Sequence, residues 1–319
     1  MNNSFLSGWR YHALVLSVVV AAIAYLCFSL WGGFSDVAAA LERISFGGVL
    51  FVLAMSLFNY ILRFLRWQSY LVALGHWVPW PSSARIYLAG FALTTTPGKA
   101  GEALRGILLK PRGVPYTRSL AAFVSERLSD LVAVLLLALL GVGSYHSIDG
   151  IMVLGIVGVL SGLFLLSQEA PVRWLASWSQ CGIGKWRTLS AHLAQMLQET
   201  RRCHAPGLLV KAMFLSVAAW GAEALAFCYI LHLMGANTSI AFGVFVYAVA
   251  VLAGALSFLP GGLGGTEAVM IGLLLWQGIG RPEAIAATVL IRLSTLWFAV
   301  LIGVFALAIS KPRQDDAVV

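Results

Sequence analysis

Eight ionisable residues lie inside apolar stretches of this chain: Glu102, Arg105, Glu126, Arg127, Asp130, Glu223, Glu267 and Arg292. A charge at the centre of a bilayer costs about 2.5–3.5 kcal/mol on insertion scales, so such residues are paired or functional. On a helix, Glu126 and Asp130 are four apart and share a face, and Arg127 and Asp130 are three apart. Packing pairs Arg127–Asp130 and Arg105–Glu102 would account for some of these charges. Arg292 resists that account, because its own apolar stretch holds no acid after Glu283 near its mouth. The positions matching Glu126 and Asp130 are there Ile291 and Thr295. Its guanidinium needs a partner from another segment or a ligand. Glu267 and Glu223 are the protein candidates. A phosphate is the ligand candidate, since arginine meets it with two parallel hydrogen bonds. Lys99 joins this candidate set, whereas Arg63 and Arg66, near a cytoplasmic helix end, are expected to snorkel and are left out.

Two further signals involve backbone chemistry. TTTPGKAGEALRGILL (94–109) and SFLPGGLGGTEAVMIGLLL (257–275) each interrupt an apolar run with Pro-Gly, at Pro97-Gly98 and Pro260-Gly261. Gly101 follows the first break, and Gly262 and Gly264 follow the second. Breaking a helix frees N–H groups at the start of the next half, with its positive dipole end. Glycines then let a headgroup or another backbone approach. Two such ends facing each other, with Arg127 and Arg292, would form an anion site. Glu102, Glu267 and Asp130 could hold a cationic group or carry a proton.

The elements that must carry these residues belong to a membrane. Of 319 residues, 60% are hydrophobic and 11% charged, against about 25% charged in a soluble domain. The expected class is an all-α polytopic membrane protein forming one transmembrane domain over 1–319. Full spans are expected near 12–31, 48–70, 118–142, 149–167, 208–234 and 282–309. Two re-entrant or broken hairpins are expected at 83–109 and 239–277, whose halves are often too short to cross alone. Amphipathic interfacial helices are expected at 36–45 and 184–203, the latter inside a cytoplasmic segment, 168–207. Lysine and arginine loop placement puts both termini in the cytoplasm. The net charge of +8 fits cytoplasmic loops and anionic lipid better than nucleic acid. Tryptophans near segment ends, Trp67, Trp77, Trp80 and Trp276 among them, fit an interfacial belt. Scattered Cys and His imply neither a disulfide framework nor a metal site, and no nucleotide or catalytic motif appears. No cofactor and no enzymatic activity are expected.

The sequence also repeats. After the Pro-Gly segments, FVSERLSDLVAVLLL (123–137) matches VLIRLSTLWFAVLIG (289–303) through Arg-Leu-Ser. Arg127 follows Pro97 by 30 residues and Arg292 follows Pro260 by 32. Repeat one covers about 12–146 and repeat two about 149–310. Three full spans between the two breaks would turn the second copy upside down, the plan of many transporters. The glutamates depart from strict correspondence: Glu102 follows Gly101 directly, and Glu267 comes three residues after Gly264.

The order PGxxGE, an ER-x-x-D span and LPGGxGxxE resembles the transmembrane region of the lysylphosphatidylglycerol synthase family, also called a flippase-like or UPF membrane family. The resemblance covers nearly the whole chain. It implies a bacterial inner-membrane protein related to movers of aminoacylated phosphatidylglycerol between leaflets. It further implies a stand-alone member without the aminoacyl-transferase domain, since only nine residues follow Ser310. Family members linked with glycosyltransferase, polyprenyl-lipid or hopanoid systems leave the cargo open. The expected function is transfer, not driven by ATP, of a phospholipid or polyprenyl-type lipid with an anionic or zwitterionic headgroup. The alternative is a non-transporting accessory of a lipid-modifying or glycosyltransferase enzyme. A small-solute or ion transporter is a third possibility.

Overall fold

The computed structural model describes residues 42–95, 100–142, 185–257 and 259–309, with isolated positions 39, 154, 157, 158, 161 and 177. Regular structure among these residues is entirely helical. Helix α1, Phe46–Ala73, starts at Ser45, whose hydroxyl accepts the Gly48 N–H at 3.2 Å. It ends where Gly75 takes a left-handed φ of 81°, with the His76 N–H donating to the Leu71 carbonyl at 2.9 Å. Next come α2, Trp80–Ala89, with a 3-10 turn at Gly90–Leu93, then α3, Ala100–Leu109, and α4, Tyr116–Val142. Helix α5 spans Lys185–Arg202.

A second series follows in the same order. Helix α6, Pro206–Leu233, has 28 residues like α1 and ends the same way, at Gly235 with φ 78°. Helix α7 is Ile240–Leu256, α8 Gly265–Trp276 and α9 Arg281–Arg292. A π-helical turn at Leu293–Trp297 joins α9 to α10, Phe298–Ile309. Glu102 is the third residue of α3, and Glu267 the third of α8. Counted from their helix starts rather than from the prolines, the two glutamates correspond. Arg127 and Arg292 likewise share a position, counted from the starts of α4 and α9.

Three helical stretches are long and apolar enough to cross a membrane: Phe46–Ala73, Pro206–Leu233 and Arg281–Ile309. Helix α4 is of similar length, 27 residues, but carries Glu126, Arg127 and Asp130 within it. These four elements match the expectations at 48–70, 208–234, 282–309 and 118–142. The last stretch is not one uniform helix, because the π turn interrupts it directly after Arg292. The expected spans 12–31 and 149–167 lie outside the described residues, apart from isolated positions in the second. The first helix break, with Pro97, Gly98 and Lys99, also lies outside them. The interfacial helix expected at 36–45 does so too, except for its last few residues and position 39.

The second break is real. Helix α7 stops at Leu256, and Gly261, Gly262 and Gly264 adopt φ of 63°, 68° and 86°, a region only glycine enters cheaply. With 17 and 12 residues at about 1.5 Å each, α7 and α8 are both shorter than a hydrocarbon core of about 30 Å. They pack against each other as a hairpin, and α3 packs back on α2 and its 3-10 turn.

The two series interlock. Helix α1 lies along α6, where Asn59 Nδ2 donates to the Ala219 carbonyl at 2.9 Å. Helix α4 of the first series packs on α7 of the second, and α10 packs on α2 and its 3-10 turn. Both exchanged contacts depend on backbone-to-backbone approach. A Cβ on Gly303 would sit 2.2 Å from the Ala92 nitrogen, and one on Gly141 2.9 Å from the Phe245 Cα. Gly303→Ala must therefore push α10 off the turn at Gly90–Leu93. The expected loss is about 1–3 kcal/mol, measured as a lower thermal unfolding midpoint in detergent. An unchanged midpoint would contradict this packing.

Candidate functional site

A cavity of about 480 Å³ lies where the two series meet, within the roughly 300–1,000 Å³ range of ligand pockets. Arg63, Arg105, Arg127 and Arg292 line it, drawn from α1, α3, α4 and α9, together with Gly261 and Gly262 of the second break. Glu223 of α6 is the one carboxylate among the lining residues. Of the residues singled out in the sequence, Arg105, Arg127, Arg292 and Glu223 line this cavity together, although they come from four separate helices.

The first series is organised by Asp130, which is nearly buried. It accepts from Arg66 Nη1 at 2.7 Å, Arg127 Nη2 at 3.0 Å, Arg63 Nη2 at 3.3 Å and the Trp220 indole Nε1 at 3.0 Å. Glu126, 0% exposed, accepts from Arg105 Nη1 at 2.9 Å, and Arg66 Nη2 lies 3.9 Å away. Arg105 therefore pairs with Glu126 on the neighbouring helix. The Glu102 side chain lies outside the described structure, and Gly101 is the second residue of α3. The guanidiniums also rest on aromatic faces, Arg105 over Tyr87 at 4.2 Å, Arg63 over Trp220 at 5.4 Å and Arg127 over Phe123 at 5.6 Å. Such stacking restrains the planar cation and adds attraction.

Excluding Arg63 and Arg66 as snorkelling side chains was wrong. Arg66 is fully buried and Arg63 faces the cavity. Both turn inward, Arg66 to Asp130 and to the Ser216 hydroxyl and Arg63 to Asp130. The signal was available: Asn59, Arg63, Arg66 and Tyr70 recur at helical spacing and form a polar stripe along α1. Trp67 departs from the expected belt in the same way. It is buried against Tyr87 and Phe64, whereas Trp77, Trp80 and Trp276 are exposed as expected. Tyr60, Trp220 and Tyr247 also line the cavity and carried no sequence signal of their own.

In the second series Arg292 takes one of its two protein candidates, Glu267. Its Nε donates to Glu267 Oε1 at 2.6 Å and its Nη2 to the Gly261 carbonyl at 2.8 Å. The other Glu267 oxygen accepts the Gly264 N–H at 2.7 Å. The expected anion site at the start of α8 is thus partly occupied from within, because Glu267 caps that helix end itself. Glu267 and Asp130 act here as counter-charges to arginines. Directly after Arg292, the Tyr60 hydroxyl donates to the Thr295 carbonyl inside the π turn, a distortion frequent at functional sites.

Some donors remain unspent. Arg63 Nε, Arg105 Nε and Arg127 Nε are buried and have no hydrogen-bond partner. Among the described side chains, Arg63, Arg66, Arg105, Arg127 and Arg292 face Glu126, Asp130, Glu223 and Glu267, so cations exceed anions by one.

Asp130→Asn would strand three guanidiniums. Removing one partner of a buried pair costs about 3–5 kcal/mol, so the variant should unfold at markedly lower temperature or fail to accumulate. Combining it with Arg66→Met should recover part of the loss. A variant as stable as wild type in thermal unfolding would contradict the assigned role of Asp130.

Comparison with known proteins places these features in a family. The family model described as the lysylphosphatidylglycerol synthase TM region matches residues 14–303. The chain is 22% identical to a UPF0104 membrane protein of Pyrococcus horikoshii, over 90% of this chain and 94% of the relative. Two UPF0104 membrane proteins of Methanothermobacter thermautotrophicus are 23% and 24% identical, covering 92% and 93% of this chain and 92% and 95% of their own lengths. This chain is a multi-pass integral membrane protein and belongs to the lysylphosphatidylglycerol synthase transmembrane-region family.

Proposed function

We propose that the protein carries lipids with a phosphate-bearing, anionic or zwitterionic headgroup from one leaflet to the other, without hydrolysing ATP and without chemical change to the lipid. The observation that carries this reading is the cavity lined by four arginines, three of which keep a buried Nε–H unpartnered. A phosphate has oxygens enough to satisfy several guanidiniums at once, and a charged headgroup crossing hydrocarbon needs that substitute for water. The acyl or prenyl tails stay in the bilayer while the headgroup passes through the chamber.

On this reading the two helix series act as inverted copies and supply the motion. Helix α4 packs on α7 and α10 on α2, so rocking one series against the other would open the chamber to alternate sides. The membrane is the cytoplasmic one, with both termini on the cytoplasmic side, following the lysine and arginine bias. The family description names a lipid synthase region, which agrees with a lipid substrate.

Purified protein in vesicles should accelerate the transbilayer movement of a fluorescent phosphatidylglycerol or polyprenyl phosphate, followed by dithionite quenching. Arg127→Ala and Arg292→Ala should each slow it about 10- to 100-fold, the equivalent of about 1.5–3 kcal/mol for a charged hydrogen bond. Unchanged movement of all such lipids by wild-type protein would refute the reading. Lipid-independent uptake of a small solute would favour a different transporter, and loss of association with a lipid-modifying enzyme alone would favour an accessory.

A further inference from the structure

Glu223 is the buried carboxylate that the phosphate chemistry leaves unused. Asp130, Glu126 and Glu267 each hold a guanidinium at 2.6–2.9 Å. Among the described residues, Glu223 alone of these four buried acids makes no ion pair within 4.0 Å. Its recorded contact is the Tyr247 hydroxyl, which donates to Oε2. It is 4% exposed and faces the cavity. An unpaired carboxylate in that setting calls for a cation, and the smallest is a proton.

Its surroundings come from every element packed around it. Tyr60 and Arg63 face it from α1, Asp130 from α4, Tyr247 from α7 and Arg292 from α9. Its place on α6 matches that of Arg63 on α1, at the 160-residue separation that also relates Asn59 to Ala219. The two series thus put opposite charges at one corresponding position. Arg63 and Arg292 set a positive field beside the carboxylate, against the cost of burying it. An anion bound among those arginines offsets the field and adds a like charge beside Glu223, which favours uptake of a proton. Two ligands that favour each other's binding in one chamber are linked by thermodynamic necessity.

We propose that Glu223 is a proton-coupling residue: headgroup binding and proton binding occur together, so that one proton crosses with each anionic headgroup. The proposal rests on the translocase reading and adds its energy source. The proton comes from water on the side to which the chamber is open and binds Glu223 Oε1. Oε2 keeps the Tyr247 hydrogen bond. On the far side the same proton returns to water as the headgroup leaves, and no other bond is made or broken. A singly charged headgroup with one proton carries no net charge, so the proton gradient drives it and the membrane potential does not.

The test reads an end point. Wild-type protein is reconstituted in phosphatidylcholine vesicles with a trace of fluorescent phosphatidylglycerol, a pH gradient of one unit is imposed, and the leaflet ratio is read by dithionite quenching. One proton per headgroup predicts about tenfold accumulation in the leaflet facing the alkaline side, unaffected by a potassium–valinomycin potential. Glu223→Gln should bring the ratio to one, whatever its rate of approach, and Glu223→Asp, which keeps a titratable group, should retain the accumulation. A wild-type ratio of one, reached rapidly, would overturn proton coupling and leave the translocase standing. Tenfold accumulation by Glu223→Gln would overturn the assignment to Glu223. No lipid movement at all by wild-type protein would bring down both readings.

Discussion

Among the described residues, the structure turns on buried arginines that share a small number of carboxylates. Asp130 is shared by Arg63, Arg66 and Arg127, and Glu126 chiefly serves Arg105. Burying so many guanidiniums costs more than these pairs return, unless each is also stacked or hydrogen-bonded. The aromatic shelf of Tyr87, Phe123 and Trp220 supplies part of that compensation. Among the described side chains this leaves one more cation than anion, with buried Nε–H groups of Arg63, Arg105 and Arg127 unpartnered.

The same constraint shapes the backbone. Arg292 needs an acid, and its own stretch provides none, so the chain bends one in. The break at Pro260 and the left-handed glycines behind it turn α8 so that Glu267 reaches Arg292 while capping its own helix. The π turn after Arg292 and the hydroxyl of Tyr60 settle the neighbouring carbonyl. Helix packing then joins the two series through close backbone approach at Gly141 and Gly303, with Val134, Leu137 and Ala138 of α4 packed beside Ala248 of α7.

Much of this was legible in the residues, for reasons that can be stated. Spans around 48–70, 118–142, 208–234 and 282–309 follow from apolar length, and the second break from Pro-Gly. That Arg292 needs a partner from another segment followed from a missing acid, but the choice of Glu267 over Glu223 did not. What could not be read was set by depth and by packing between distant segments. Arg63 and Arg66 were misjudged because their burial comes from packing of α1 on α4 and α6, where Asp130 and Ser216 meet Arg66. The choice of Glu126 by Arg105, 21 residues apart, depends on how α3 lies against α4. Counting from the prolines obscured the match of Glu102 with Glu267; counting from the helix starts reveals it. Tyr247 beside Glu223 depends on the packing of α6 and α7, which no local pattern encodes.

The central claim is that this chamber holds a phosphate-bearing lipid headgroup. Native mass spectrometry of the protein released gently from its membrane tests it most directly, by identifying the lipid that stays bound. One phosphate-bearing anionic or zwitterionic lipid per chain, enriched over the surrounding membrane and lost when Arg63 and Arg127 are both replaced by alanine, is the predicted result. Bound lipid that matches the bulk membrane in headgroup composition, and is indifferent to those arginines, would contradict it.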